Sequence, residues 1–422
     1  MSVITVVGSG KLSGAFTLHG AKNSALPILA GTALCKGTCV IHNCPRLSDI
    51  DAAIRILRHL GAEVSRSGSD VIVSAENLNG YEIPDELMRE MRSSIVFLGA
   101  VAARNKRAVL SSPGGCELGP RPIDLHLSSL KELGLEIEEE HGYLKCRCDN
   151  GLEGCEIALA FPSVGATENI MLAAATARGT TVIQNPAREP EISDLADFLN
   201  RAGANIQGAG SSVIEITGVE SLGPAEHTVI PDRIEAATYL CAAAITGGSI
   251  TLNNAVLAHL TPVLTVLKNA GCDITAKNRS VILNAPKRLN RIPVIRTMPY
   301  PGFPTDAGSP VMALLSVARG SSMFVENIFE NRFKVVDELK RLGAKIHTNG
   351  RVAVIEGVDA LSGAPVECTD LRGGAALIIA ALAAKGVTEI HKTEHIERGY
   401  ENICGNLKML GANITLTPTQ TN

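Results

Sequence analysis

One of the eleven cysteines lies in a segment built for access rather than burial: Ser111-Ser112-Pro113-Gly114-Gly115-Cys116-Glu117-Leu118-Gly119-Pro120-Arg121-Pro122-Ile123-Asp124-Leu125-His126. The prolines and glycines around Cys116 argue against a regular helix or strand there. Glycine also lets a ligand approach the backbone closely. Arg121 follows five residues after the cysteine, and a nearby cation favours the reactive thiolate over the thiol. A turn around a small buried thiol is the commoner fate of a cysteine. The glycines, the arginine and the Asp124/His126 pair turn the reading toward a mobile reactive loop.

Charge recurs in short loops that precede apolar, small-residue helices. They are Gly20-Ala21-Lys22-Asn23-Ser24, Pro162-Ser163-Val164-Gly165-Ala166-Thr167-Glu168, Pro231-Asp232-Arg233, Tyr300-Pro301-Gly302-Phe303-Pro304-Thr305-Asp306 and Asp370-Leu371-Arg372-Gly373-Gly374. A helix N-terminus offers free N–H groups and a positive dipole end, and so attracts anions. An ordinary N-cap explains any single one of these loops. Several at equivalent positions, three of them with Lys or Arg, point to a shared anionic ligand. Arg92, Arg332 and Arg398 stand in similar short segments, whereas Lys340 and Arg341 read as a solvated outer face. Asp306 ends a stiff, proline-rich loop and is a candidate general base, given a proton within reach.

These loops are positioned by a repeat. Helical stretches end at Gly61, Gly134, Gly203, Gly271, Gly343 and Gly411, spaced 73, 69, 68, 72 and 68 residues apart, and each is followed by a short strand. Glycine suits the left-handed residue that ends a helix. Upstream in most copies is a second helix, apolar on all sides and therefore buried, as in Leu26–Leu34, Asn169–Ala175 and Ala375–Ala381. Each unit thus reads as strand–helix–strand–helix–strand, an α/β pattern. Units of this size exceed the roughly 20–45 residues of solenoid repeats, so two domains of three units are expected in a chain of 422 residues.

Composition excludes other classes. Charged residues are 19%, the net charge is −4, aromatics are 3% and tryptophan is absent, which gives no basis for nucleic-acid binding. The start has no basic segment and no long apolar run, so no secretion signal is read. No apolar stretch reaches membrane-spanning length. An odd, irregularly spaced cysteine set fits a reducing cytoplasm rather than a disulfide framework. Cys146, Cys148 and Cys155 match no zinc spacing.

Taken together, the segments Gly20–Asn23, Pro113–Cys116, Arg121–His126, Pro162–Thr167, Tyr300–Asp306, Glu330–Phe333, Asp370–Gly374 and His395–Tyr400 resemble the UDP-N-acetylglucosamine enolpyruvyl transferases over the whole chain. The resemblance implies an α/β fold, a two-domain inside-out barrel of six repeats. Residues 22–229 would form the first domain, with the cysteine loop. Residues 1–21 and 230–422 would form the second, with the general base. It implies transfer of the enolpyruvyl group of phosphoenolpyruvate to the 3′-hydroxyl of UDP-N-acetylglucosamine, a step in cell-wall peptidoglycan synthesis. No cofactor, metal, nucleic acid or membrane is implied, and the location is cytoplasmic.

By the same resemblance, Cys116, Asp306, Lys22 and Arg398 are catalytic. Cys116 would protonate the methylene carbon and can carry a phosphoenolpyruvate adduct; it is also the target of fosfomycin-type epoxides. Asp306 would take the hydroxyl proton. Lys22, Arg121 and Arg398 would hold the phosphate, with Arg332 and Arg372 at the carboxylate end and Asn23 at the reacting centre. Arg92, Arg121, Pro122, Ile123, Asp124, Leu125, Ser163, Val164, Gly165, Asp306 and Ile328 would hold the UDP-sugar, and Asp370 also belongs to the substrate set. Three features depart from the family pattern: Ala307-Gly308-Ser309-Pro310 after the base, Glu117 after the cysteine, and Ser111-Ser112. The alternatives are a shikimate-pathway enolpyruvyl transferase and a weakly active or non-catalytic UDP-sugar-binding paralogue.

Overall fold

The computed structural model describes residues 2–8, 10–111 and 123–418. The chain divides into two compact units. One runs from Gly20 to Ile230; the other ends at His19 and resumes at Pro231. The fold is a mixed α/β architecture in which each unit holds three four-stranded sheets.

In the Gly20–Ile230 unit the buried helices are Lys22–Thr32, Phe97–Asn105 and Val164–Ala174. The outer helices are Ser48–His59, Asp124–Glu132 and Pro190–Arg201. Within Lys22–Thr32 every residue but Asn23 is buried, so it cannot be amphipathic. Ser48–His59, by contrast, buries Ile50, Ala53, Ile54 and Leu57 and exposes its charged face. Each fully buried Leu or Ile side chain contributes about 1.5–3 kcal/mol, which places the all-apolar helices at the centre of the unit.

The sheets are not made by single repeats. Glu82–Ile83 leaves the first repeat and pairs in parallel with Arg107–Ser111 of the second. Glu156–Ala158 does the same to Thr180–Gln184 of the third. Glu226–Thr228 returns to Thr38–His42 of the first, with Glu226 opposite Val40 and Thr228 opposite His42. The three sheets are thereby tied into a closed ring of exchanged edge strands.

The second unit uses the same device. Its buried helices are Arg233–Ile245, Gly308–Leu315 and Leu371–Ala383, and its outer ones Leu257–Asn269, Val335–Arg341 and Ile403–Met409. The start of the chain closes this ring. Ser2–Val7 lies antiparallel between Val387–His391 and Asn413–Pro418 in the sixth sheet. Ser13–Thr17 is the parallel edge of the fourth.

The six repeat glycines all take left-handed backbone, with φ of +102° at Gly61, +92° at Gly134, +105° at Gly203, +96° at Gly271, +90° at Gly343 and +93° at Gly411. They are the helix-ending residues that the spacing predicts. Close packing sets a second demand: a Cβ on Gly99 would lie 2.4 Å from the carbonyl oxygen of Asn169 in the neighbouring buried helix. Gly99→Ala is therefore expected to cost about 1–3 kcal/mol through overpacking. Gly134→Asn, at a position with open space around it and a residue tolerant of left-handed backbone, should cost less than about 1 kcal/mol. Denaturant unfolding of both variants checks this; equal costs would refute the packing argument.

Candidate functional site

Three helix N-termini of the second unit meet through charge. Asp306 lies in the 3₁₀ turn Thr305–Ala307 just before the helix Gly308–Leu315. One of its carboxylate oxygens accepts from Arg332 Nη2 and the other from Arg372 Nη2 at 3.1 Å. Arg372 stands in the first turn of Leu371–Ala383, whose N-cap Asp370 accepts from the backbone N–H groups of Arg372 and Gly373, both at 3.0 Å. Arg332 Nη1 lies 4.0 Å from Asp370 Oδ1. The Arg372 guanidinium lies 5.4 Å from the centre of the Tyr400 ring. Tyr400 in turn bonds Thr238 of the helix Arg233–Ile245 at 2.8 Å. That helix is capped by Asp232, which accepts from Ile234 N–H at 2.7 Å and Glu235 N–H at 3.0 Å.

Two buried guanidinium groups in one place are costly without anions. The Arg332 side chain is 1% exposed and that of Arg372 4%. Asp306, at 27% exposure, answers both, yet among the described residues Arg372 Nη1 is buried with no well-formed hydrogen bond, its guanidinium otherwise facing Tyr400. A buried, unsatisfied cationic donor is a place for an anionic ligand.

The loops are braced from behind by Glu326, which is 1% exposed. It accepts from Thr297 Oγ1 and Thr305 Oγ1, both at 2.9 Å, and from the N–H groups of Ile328 at 2.8 Å and Phe329 at 3.0 Å. This ties the Asp306 loop to the Ile328 segment. Arg398 is half-buried beside Gly399, where an added Cβ would lie 2.6 Å from Leu371 Cδ2. That close approach brings the Arg398 segment against the first turn of the Arg372 helix.

In the Gly20–Ile230 unit, Lys22 opens its helix at 8% exposure. A cation there opposes the helix dipole. Asp49, in the first turn of Ser48–His59 and 2% exposed, offsets it, with Lys22 Nζ at 2.9 Å from Asp49 Oδ2. Asn23 is half-buried next to it. Ser163 caps Val164–Ala174 with a 3.4 Å bond from Ala166 N–H, and Val164 and Gly165 form the half-buried first turn. Asp124 is exposed at the start of Asp124–Glu132, between half-buried Ile123 and Leu125.

His126 joins these last two segments. Asn169 Nδ2 donates to His126 Nδ1 at 2.8 Å and to Ile95 O at 3.0 Å, while Asn169 Oδ1 accepts from Gly99 N–H at 2.8 Å. The ring fits against Gly165, where a Cβ would stand 2.8 Å from His126 Cε1. Nδ1 as acceptor leaves the proton on Nε2. Burial lowers the imidazole pKa to about 4 from its ordinary 6.5, against a smaller opposing pull from Asp124. Glu168 of the same helix is held well above the usual carboxylate range by burial, then by Glu191 and Glu189.

Cys116, Glu117, Arg121 and Pro122, and the side chain of Arg92, lie outside the described residues. The structure joins Asp306, Arg332, Asp370 and Arg372 directly, and holds Ile328 to the Asp306 loop through Glu326. Exposed Lys340 pairs with exposed Asp337, and exposed Arg341 with half-buried Glu338. Sequence reasoning missed Asp49, Glu326 and Asn169. Asp49 carried the only local signal, an acid in a helix first turn, which any helix favours. Among the described residues no group of His, Cys, Asp and Glu is placed to hold a metal ion, and no helix is long and apolar enough to cross a membrane.

Residues 6–407 match the family model of EPSP synthase (3-phosphoshikimate 1-carboxyvinyltransferase). The chain is 53% identical over 414 residues, 98% of its length and 99% of the relative's, to UDP-N-acetylglucosamine 1-carboxyvinyltransferase 2 of Caldanaerobacter subterraneus subsp. tengcongensis. It is 51% identical over 415 residues, 97% and 94% of the two lengths, to UDP-N-acetylglucosamine 1-carboxyvinyltransferase 1 of Symbiobacterium thermophilum. Among solved structures, the enolpyruvyl transferase NikO from Streptomyces tendae superposes with a TM-score of 0.89 at 27% identity, covering 99% of each chain. An EPSP synthase from Acinetobacter baumannii, at 21% identity and a TM-score of 0.77, covering 99% of this chain and 100% of its own, shares the fold.

The His126 arrangement predicts a pH dependence. Between its ordinary pKa of 6.5 and about 4, the unfolded chain takes up a proton that the folded site resists. Stability is therefore lost as pH falls through this window, by about 1.4 kcal/mol per unit. The stability difference between wild type and His126→Gln should shift accordingly from pH 7 to pH 4.5 in denaturant titrations. A difference independent of pH would rule out the buried neutral imidazole.

Proposed function

The chain belongs to the EPSP synthase family of enolpyruvyl transferases, and on that premise we propose how its residues divide the chemistry. It transfers the enolpyruvyl group of phosphoenolpyruvate to the 3′-hydroxyl of UDP-N-acetylglucosamine and releases phosphate, the first committed step of peptidoglycan precursor synthesis. The relatives at 46–53% identity over almost the whole chain carry that activity in their names. The shikimate alternative is disfavoured, since the EPSP synthase structures match at 21% identity.

Adding a hydroxyl across the carbon–carbon double bond needs a proton delivered to the methylene carbon and one removed from the hydroxyl. Expelling phosphate then returns a proton from the methyl carbon and restores the double bond. We assign delivery to Cys116 and removal to Asp306. Lys22, Arg121 and Arg398 take the phosphate; Arg332 and Arg372 take the carboxylate; Asn23 steadies the reacting centre. Arg92, Arg121–Leu125, Ser163–Gly165, Asp306 and Ile328 take the UDP-sugar, with Asp370 holding the Arg372 turn.

The observation that carries this reading is the Asp306–Arg332–Arg372 cluster with its unsatisfied Arg372 donor. A substrate carboxylate arriving there competes with Asp306 for both guanidinium groups. Displaced from them, Asp306 accepts the hydroxyl proton. No metal is needed for charge stabilisation where arginines supply it. A cytoplasmic setting suits the described cysteines, which are all free thiols.

Phosphate release from phosphoenolpyruvate, with UDP-N-acetylglucosamine against shikimate 3-phosphate as acceptor, tests the function. Release with the UDP-sugar alone is expected; release with the shikimate ester alone would overturn it. Cys116→Ala should abolish or severely slow turnover near neutral pH, while Cys116→Asp, which still carries a proton to donate, should retain activity with a shifted pH profile. Wild-type turnover in the alanine variant would remove Cys116 from the mechanism. A fosfomycin-type epoxide should label Cys116 selectively. The half-buried rivals, Cys155 and Cys404, have thiol pKa values raised by burial and by Glu132 and Glu397 respectively. Peptide mapping that found adducts there and none on Cys116 would count against the reactive loop.

A further inference from the structure

Lys22 and Asn23 stand on a helix turn that its own N-cap does not secure. Ala21 occupies the cap position and offers no side-chain hydrogen bond. The turn is secured instead by a carboxylate from another repeat. Ser24, next in the turn and fully buried, donates its hydroxyl to Asp194 Oδ2. Asp194 lies on the outer helix Pro190–Arg201 and is 4% exposed. The same oxygen accepts from Ile230 N–H at 3.2 Å, and Oδ1 pairs with His227 Nε2 at 2.9 Å. Ile230 O accepts from Ala21 N–H at 2.7 Å. Ala21, Ser24, Asp194 and Ile230 thus close a hydrogen-bonded ring at the point where the chain leaves this unit.

A buried carboxylate is expensive, and packing alone does not call for one. Its use here is geometric. Asp194, on the outer helix, bonds both the buried helix through Ser24 and the departing segment through Ile230. Asp49 holds the Lys22 ammonium at 2.9 Å, but it does not hold the backbone that carries Lys22 and Asn23.

We propose that Asp194 is a positioning residue for enolpyruvyl transfer, fixing through Ser24 and Ile230 the turn that presents Lys22 and Asn23 to phosphoenolpyruvate. This rests on the reading that Lys22 and Asn23 meet that substrate. The chemistry of the ring distinguishes two substitutions. In Asp194→Asn the amide oxygen can still accept from Ser24 and Ile230. Its NH₂ group meets His227 Nε2, which then must become an acceptor, with the imidazole proton moved to Nδ1. Among the described residues His227 Nδ1 is buried and without a hydrogen-bond partner in the wild type. Asp194→Ala keeps none of these contacts.

Steady-state kinetics with the two substrates varied separately, on variants first checked for folded fraction, test the inference. Asp194→Ala should lower kcat/KM for phosphoenolpyruvate by about 100-fold, the scale expected of an ångström-level misplacement. KM for UDP-N-acetylglucosamine should stay near wild type. Asp194→Asn should recover most of the loss, and its His227 ¹⁵N shifts should report the exchanged tautomer. Ser24→Ala, which keeps the Ile230 and His227 bonds, gives a smaller loss of the same kind and serves if Asp194→Ala does not fold. Wild-type kinetics in the folded fraction, equal losses for both substrates, or an asparagine variant as impaired as the alanine one would each overturn the proposal. Lys22→Ala run alongside separates the two readings. If it is inactive while Asp194→Ala and Ser24→Ala are normal, only the role of Asp194 falls. If Lys22→Ala is normal toward phosphoenolpyruvate, the substrate reading falls and this inference with it.

Discussion

Positive charge at the positive end of a buried helix is the constraint on which the rest of this structure depends. Lys22, Arg233 and Arg372 each stand in the first turn of a helix whose dipole opposes them. Such placement survives only with compensation nearby. Asp49 supplies it for Lys22, and Asp306 and Asp370 for the Arg332–Arg372 pair. Asp232 caps the helix that Arg233 opens. Asp49, Asp306 and Asp370 make the cations beside them tolerable where they are buried.

The architecture follows from where those helix ends must be. A helix apolar on every side belongs at the centre of a unit, with amphipathic helices and half-buried strands around it. That leaves its N-terminal turn as the part whose N–H groups still need partners. Ring closure by exchanged edge strands keeps the three repeats of a unit in fixed relation. Glu226–Thr228 does this for one unit and the strands Ser2–Val7 and Ser13–Thr17 for the other. A donor on one repeat can then be answered by an acid on another, as the Arg372 guanidinium is by Asp306 and the Ser24 hydroxyl by Asp194.

Residues behind the site matter as much as those on it. Glu326 collects two hydroxyls and two backbone N–H groups to hold the loops around Asp306 and Ile328. Asn169 bridges two buried helices and orients His126, and burial keeps that imidazole neutral at physiological pH. Gly165 and Gly399 allow approaches that a side chain would block. These residues set the distances at which the charged groups around them stand.

The repeat was legible in the sequence because its marks are local. A glycine that ends a helix needs left-handed backbone whatever lies around it, and all six predicted positions have it. All-apolar helices announce burial in the same way, and so does a cation placed where a helix would resist it. Lys22 and Arg372 could be chosen as cations opening buried helices, Arg332 as a further cation of a short segment, and Asp306 as a carboxylate ending a stiff, proline-rich loop. What the sequence could not state was partnership. An acid in the first turn of an outer helix is unremarkable by itself, so Asp49 carried no signal of its link to Lys22. Asp194 and Glu326 looked like ordinary polar positions until strands and helices from distant repeats were brought together. Residue type and local conformation are written over a few neighbouring positions. Which carboxylate answers which donor is decided only by tertiary packing, because the pairs lie 27, 66 and 170 residues apart for Lys22–Asp49, Arg372–Asp306 and Ser24–Asp194.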